Sequence, residues 1–154
     1  MKLTTNPDPA VVRAEFQRTR TGLDYPASAA LHYAKRYAQA LAYEKHPDIE
    51  VSLIPSWDED GPEGHFSMGD DDLDNKITEE IRGRMATGDV WAWASVEVLV
   101  TVKDAKCEHC GHANSRHASD YLGGCSYRDS DDFKKGGYYT DMIEQCLDEL
   151  EIEY

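Results

Sequence analysis

Four side chains in the second half of the sequence have the types and spacing to hold a metal ion: Cys107, Cys110, His117 and Cys125. The turn Cys107-Glu108-His109-Cys110-Gly111 aims two thiolates at one point, and tetrahedral zinc takes two further sulfur or nitrogen ligands. His117 and Cys125 complete a three-cysteine, one-histidine set, with His112 as a further candidate. Four protein ligands leave no open position, so such a zinc ion is structural rather than catalytic. The competing reading is a hairpin loop with two free thiols, because a second Cys-x-x-Cys is missing. A redox role fits less well, since the pair does not open a helix after a strand.

Carboxylates are the second candidate chemistry. The chain of 154 residues carries 30 acids and 16 bases, for a net charge of −14. The excess is uneven: residues 1–50 sum to +1, residues 51–90 to −8 and residues 91–154 to −7. The acids gather at Asp58, Glu59 and Asp60, at Asp70, Asp71, Asp72 and Asp74, and at Asp141, Glu144, Asp148 and Glu151. Such a surface repels nucleic-acid phosphates, which argues against direct DNA or RNA binding. It attracts basic partners and speeds encounter with them. The plainer alternative is that the acids serve solubility. Asp70, Asp72 and Asp74 open like a calcium loop, but Asn75 occupies the glycine position and Ile81 the bidentate glutamate position, so calcium is not expected.

Other catalytic signatures are missing. The chain has no phosphate-binding loop, no dinucleotide fingerprint and no nucleophile elbow. His32, His46 and His65 lie far apart without a recognisable nucleophile. Cys125, after two glycines, reads as a packed or ligating thiol rather than a nucleophile. The expectation is a protein that is not an enzyme.

The elements that must position these groups follow from periodicity. Residues 8–20 read as a helix with Asp8 as cap, Pro9 in the first turn and Val12 and Phe16 on one face. Residues 27–46 read as the longest helix, with Ala30, Ala34, Ala38 and Leu41 as its stripe. Residues 49–55 alternate as a strand, and a Gly, Pro and acid-rich loop follows. A short helix is expected over residues 77–86, capped by Asp74 or Asn75, with Ile77, Ile81 and Met85 four apart. Residues 90–102 alternate strictly, and their even face, Ala92 to Val102, is apolar throughout. Residues 121–127 suggest another strand whose glycines mark a bulge or a close backbone approach. A last helix over residues 140–150 carries Met142, Ile143, Cys146, Leu147 and Leu150 as its apolar stripe. The expected fold is α+β: one acidic domain over residues 1–154, with a small antiparallel sheet and helices packed on one face. No apolar run approaches the roughly 20 residues of a membrane span, and the N-terminal residues lack an apolar signal core. No membrane partner and reduced cysteines are therefore expected.

Trp91-Ala92-Trp93 leading into a valine-rich strand, then Asp120-Tyr121-Leu122-Gly123-Gly124-Cys125-Ser126-Tyr127, then Phe133 and Gly136-Gly137-Tyr138-Tyr139 before an acidic helix, resembles a group of small bacteriophage and prophage proteins. The resemblance covers roughly residues 90–150. It implies a phage accessory protein in the cytoplasm of a bacterial host and carries over no catalytic residue.

Together these readings give an expected function: binding a basic host protein, as a DNA mimic that inhibits a defence or nucleic-acid-binding complex. The eleven clustered acids named above are the expected contact residues. The alternative is a small zinc-stabilised interaction module that uses exposed aromatics such as Trp57, Trp91 and Trp93.

Overall fold

The computed structural model describes residues 2–22, 26–103, 109–112 and 114–154. Cys107 lies outside the described residues. The fold is α+β, with helices α1 (Pro9–Gly22), α2 (Ala27–Glu44), α3 (Asp71–Ala86), α4 (Ser130–Lys135) and α5 (Tyr138–Glu149), and strands β1 (Ile49–Trp57), β2 (Ala94–Lys103) and β3 (Ser115–Cys125).

The strands form one antiparallel sheet with β2 in the centre. The period-two pattern of β2 decides what that sheet does. Ala94, Val96, Val98, Val100 and Val102 all have no exposed surface, and their cross-strand partners Ile49, Val51 and Leu53 lie on the same face. Helix α5 covers it with Met142, Ile143, Cys146 and Leu147. Each valine so buried contributes about 1.5–3 kcal/mol relative to exposure. The opposite face carries Ser52, Ile54, Glu97, Leu99, Ser119 and Tyr121. There Glu97 accepts hydrogen bonds from the Ser119 and Tyr121 hydroxyls, both at 2.8 Å.

Helix α2 packs on α1 with one side and on β1, α4 and α5 with the other. Its fully buried Ala30, Ala34 and Ala40, with Ala38, keep those approaches close, because small side chains shorten the distance between helix axes. The two ends of the chain meet: Leu3 donates to the Glu153 carbonyl at 2.6 Å, and its side chain is buried.

The structure departs from the sequence reading at four elements. The strand expected from residue 90 begins at Ala94, because Asp89 accepts from the Trp91 amide and closes a 3-10 turn over Val90–Ala92. Helix α3 starts six residues before the expected 77. Asp70, rather than Asp74 or Asn75, caps it by accepting from the Asp72 and Leu73 amides, both at 3.1 Å. Strand β3 starts at Ser115 rather than 121, and Asp129 caps the unforeseen short helix α4. The glycines of β3 do mark a bulge: the register shifts between Ala94 and Val96, and Gly124 takes φ +62°.

The end of α5 stores strain. Ile152 donates to the Leu147 carbonyl and Glu151 to that of Asp148, a double closure that puts Glu151 at φ +56°. A residue with a Cβ is disfavoured there by about 1–2 kcal/mol, and glycine is the usual occupant. Glu151→Gly should therefore raise stability by about 0.5–1 kcal/mol after glycine's larger chain entropy is offset. Urea unfolding checks this; a lower midpoint would count against the strain argument.

The core also sets an alkaline limit. Burial raises the Cys125 and Cys146 thiols from 9.0 to about 11, and chiefly burial raises the Tyr37 and Tyr127 hydroxyls from 10.0 to about 12. In this range the folded state keeps protons that the unfolded chain releases, so stability must fall as pH rises. Full stability is expected below pH 9, with progressive loss between pH 9 and 12. Urea midpoints measured across that interval test it, and Cys146→Ala should flatten the first part of the decline.

Candidate functional site

The loop after β1 and helix α3 form a lobe beside the main core. Its own small cluster joins Ile81, Ala92 and Trp93 with Phe66, Ile77 and Met85. Trp93 is 2% exposed. Its indole Nε1 donates to the Asp60 carbonyl at 2.6 Å, and its ring meets Phe66 edge-on. Two further ties hold the loop: Asp58 accepts from the Gly124 amide at 2.8 Å, and Arg82 of α3 pairs with Glu63.

This anchoring separates the lobe's acids by role. Asp58 fastens the loop to the β3 bulge. Asp70 caps α3, and Asp74 accepts from the Met68 amide. Asp71 and Asp72 sit in the first turn, where the helix dipole favours negative charge. The side chains of Glu59, Asp60, Asp71, Asp72, Glu79 and Glu80 are exposed and take no hydrogen bond or ion pair among the described residues. From Asp58 to Ala86 the lobe carries ten carboxylates against three cations, Lys76, Arg82 and Arg84.

The acids of α5 behave differently. Arg36 of α2 pairs with both Asp141 and Glu144, meeting Glu144 at 2.9 Å. Glu144 also accepts from the Tyr43 hydroxyl at 3.2 Å. Burial works against the Arg36 charge, but the bonds and charges of Glu144 and Asp141 outweigh it and raise the guanidinium's pKa. Asp148 lies beside the Tyr154 hydroxyl and helps, after burial, to raise its pKa. Glu151 is exposed at the helix end. The expected contact set is thus divided. Residues 58–74 share the lobe, whereas Asp141 and Glu144 are spent on an internal ion pair with α2.

The candidate metal ligands are also parted. Cys110 is exposed in a turn, and His112 Nδ1 lies 3.3 Å from its carbonyl. His117 pairs with Thr101, on the sheet face opposite the buried valines of β2. Cys125 is buried at the other end of β3 and pairs with Ala94. Eight residues of strand put Cys125 roughly 25 Å from His117, so these two cannot bind one ion. Among the described residues no group of three or more His, Cys, Asp or Glu is arranged to hold a metal. The aromatics of the alternative reading are likewise divided: Trp57 is 45% exposed, Trp91 packs on Phe133 and Trp93 is buried.

A second concave feature gave no sequence motif. A groove of about 780 Å³ runs between α1 and α2, closed at one end by Tyr43, Glu144 and Tyr154. Val12, Phe16 and Leu31 form its apolar lining, and Arg13 and Lys35 stand among them. The only hints in the sequence were the shared face of Val12 and Phe16 and the four-residue spacing of Leu31 and Lys35. Among the described residues no helix is long and apolar enough to cross a membrane. In comparisons with known proteins, no family model, no curated protein and no solved structure matches this chain.

Proposed function

We propose that this chain is an accessory binding protein, of the kind the resemblance to small phage proteins implies. In this reading it occupies a basic, nucleic-acid-binding surface of a host protein in place of nucleic acid, and the lobe from Asp58 to Ala86 is the contact surface. The observation that supports the reading is the lobe's charge: ten carboxylates against three cations over the 29 positions from Asp58 to Ala86, six of the carboxylates free of internal partners among the described residues. Repeated carboxylates on a fixed support present to lysine and arginine what a phosphate backbone presents, and they do so without the cost of ordering a loose chain. The field they make speeds encounter and sets orientation.

The test is capture of proteins from a bacterial lysate on the immobilised chain, at about 0.05 M and about 0.5 M salt, with duplex DNA as competitor. A retained protein of basic charge, released both by salt and by DNA, is the expected result. A partner held equally at both salt concentrations and unaffected by DNA would overturn the reading.

A further inference from the structure

We propose that the groove between α1 and α2 is a second docking site, built to receive an acidic amphipathic helix of a partner protein. It is distinct from the acidic lobe and opposite to it in charge.

Shape comes first. The groove of about 780 Å³ is lined along α2 by Leu31, Lys35, Gln39 and Tyr43 at four-residue spacing. Leu31 to Tyr43 spans roughly 18 Å at the α-helical rise, the length of about three turns of a bound helix. Its apolar wall is open to solvent: Leu31 is 38% and Tyr154 44% exposed, and Val12 and Phe16 are half-buried. An open trough of this kind suits side chains inserted from one face of a helix at i, i+3, i+4 and i+7. A lone lipid chain needs fuller enclosure to bury most of its surface.

Charge chooses the occupant. The chain is −14 overall, yet this groove is edged by cations. Arg13 and Lys35 line it and have no carboxylate partner among the described residues. Arg20 lies outside the lining, its guanidinium 6.0 Å from the centre of the Phe16 ring. Arg36, at the far end, is already paired with Glu144 and Asp141. Unpaired cations beside exposed apolar surface are what a helix with carboxylates flanking its apolar stripe would satisfy.

Fluorescence anisotropy with a designed probe tests this. The probe is a labelled helical peptide of about fourteen residues with leucines at i, i+3, i+4 and i+7 and glutamates elsewhere; its twin carries lysines in place of the glutamates. The acidic probe should bind at least about tenfold tighter than its twin. The double variant Arg13→Glu, Lys35→Glu should reverse that preference, and Leu31→Asp should weaken the acidic probe by about tenfold or more. All three positions lie on the surface, and unchanged thermal melts would show that the variants fold. The lobe variant Glu79→Gln, Glu80→Gln should leave binding of the acidic probe unchanged. Equal affinity of the acidic probe for the unaltered chain and for the Arg13→Glu, Lys35→Glu variant overturns the proposal. So does saturation by dodecanoate with no binding of either peptide, or a dimer of the chain alone that Leu31→Asp dissolves.

Discussion

Trp93→Ala should cost about 3–5 kcal/mol of stability, a large fraction of the about 5–15 kcal/mol by which native domains are stable. The indole is 2% exposed, so its removal leaves a cavity that the small cluster of Ile81, Ala92, Phe66, Ile77 and Met85 can fill only in part. Its Nε1 bond to the Asp60 carbonyl is lost too, and with it one of the ties that hold the acidic loop. The damage should therefore be uneven. Helix α3 depends on this cluster, whereas β2 is buried under α5 in the main core. Hydrogen exchange should show protection in residues 71–86 falling well before that in residues 94–103. Trp93→Phe keeps most of the apolar area and loses only the N–H donor, which leaves the Asp60 carbonyl without that partner, so a smaller loss of about 1–2 kcal/mol is expected. Urea unfolding followed by circular dichroism gives the totals. Uniform loss of protection across both segments would show that the lobe and core unfold together and that the separate-lobe description is wrong.

Neutralising the free carboxylates of the lobe should do the opposite, leaving stability nearly intact and removing binding. The variant Glu59→Gln, Asp60→Asn, Glu79→Gln, Glu80→Gln spares Asp58, Asp70 and Asp74, whose carboxylates hold the loop and cap the helix. The four altered side chains have no partner among the described residues. Exposed substitutions of this kind usually stay within about 0.5 kcal/mol. Affinity for the captured basic partner should fall by about a hundredfold at low salt, and the dependence of log affinity on log salt should become visibly shallower. Isothermal titration across a salt series reads both quantities. An unchanged salt slope would mean that these carboxylates are not the ones in contact. The matched change Asp141→Asn, Glu144→Gln should behave differently again: it strips Arg36 of its partners, lowers stability and leaves the salt slope of binding alone.

Contrasting these two sets of acids shows how far charge could be read from the sequence. That residues 51–90 carry a strong negative excess was evident from composition, and the 58–74 cluster does share one lobe. That Glu144 is not free could not be seen, because its partner Arg36 lies 108 positions away. The same distinction applies to the cysteines. Their count and the Cys107 to Cys110 spacing are local facts. The placement of Cys125 at the far end of β3 from His117 depends on where the strand starts, and local alternation marked that start poorly.

Alone, the sequence determined the central strand, its buried even face, the long alanine-rich helix, the apolar stripe of the last helix and the α+β class. Those features rest on periods of two and of about 3.6 residues, which neighbouring positions express without help from the rest of the chain. Tertiary structure decided which carboxylates stay unpaired among the described residues, that Trp93 is an anchor rather than a contact residue, and that a cation-edged groove opens between α1 and α2. These depend on distances between segments far apart in sequence, and no local pattern encodes such a distance.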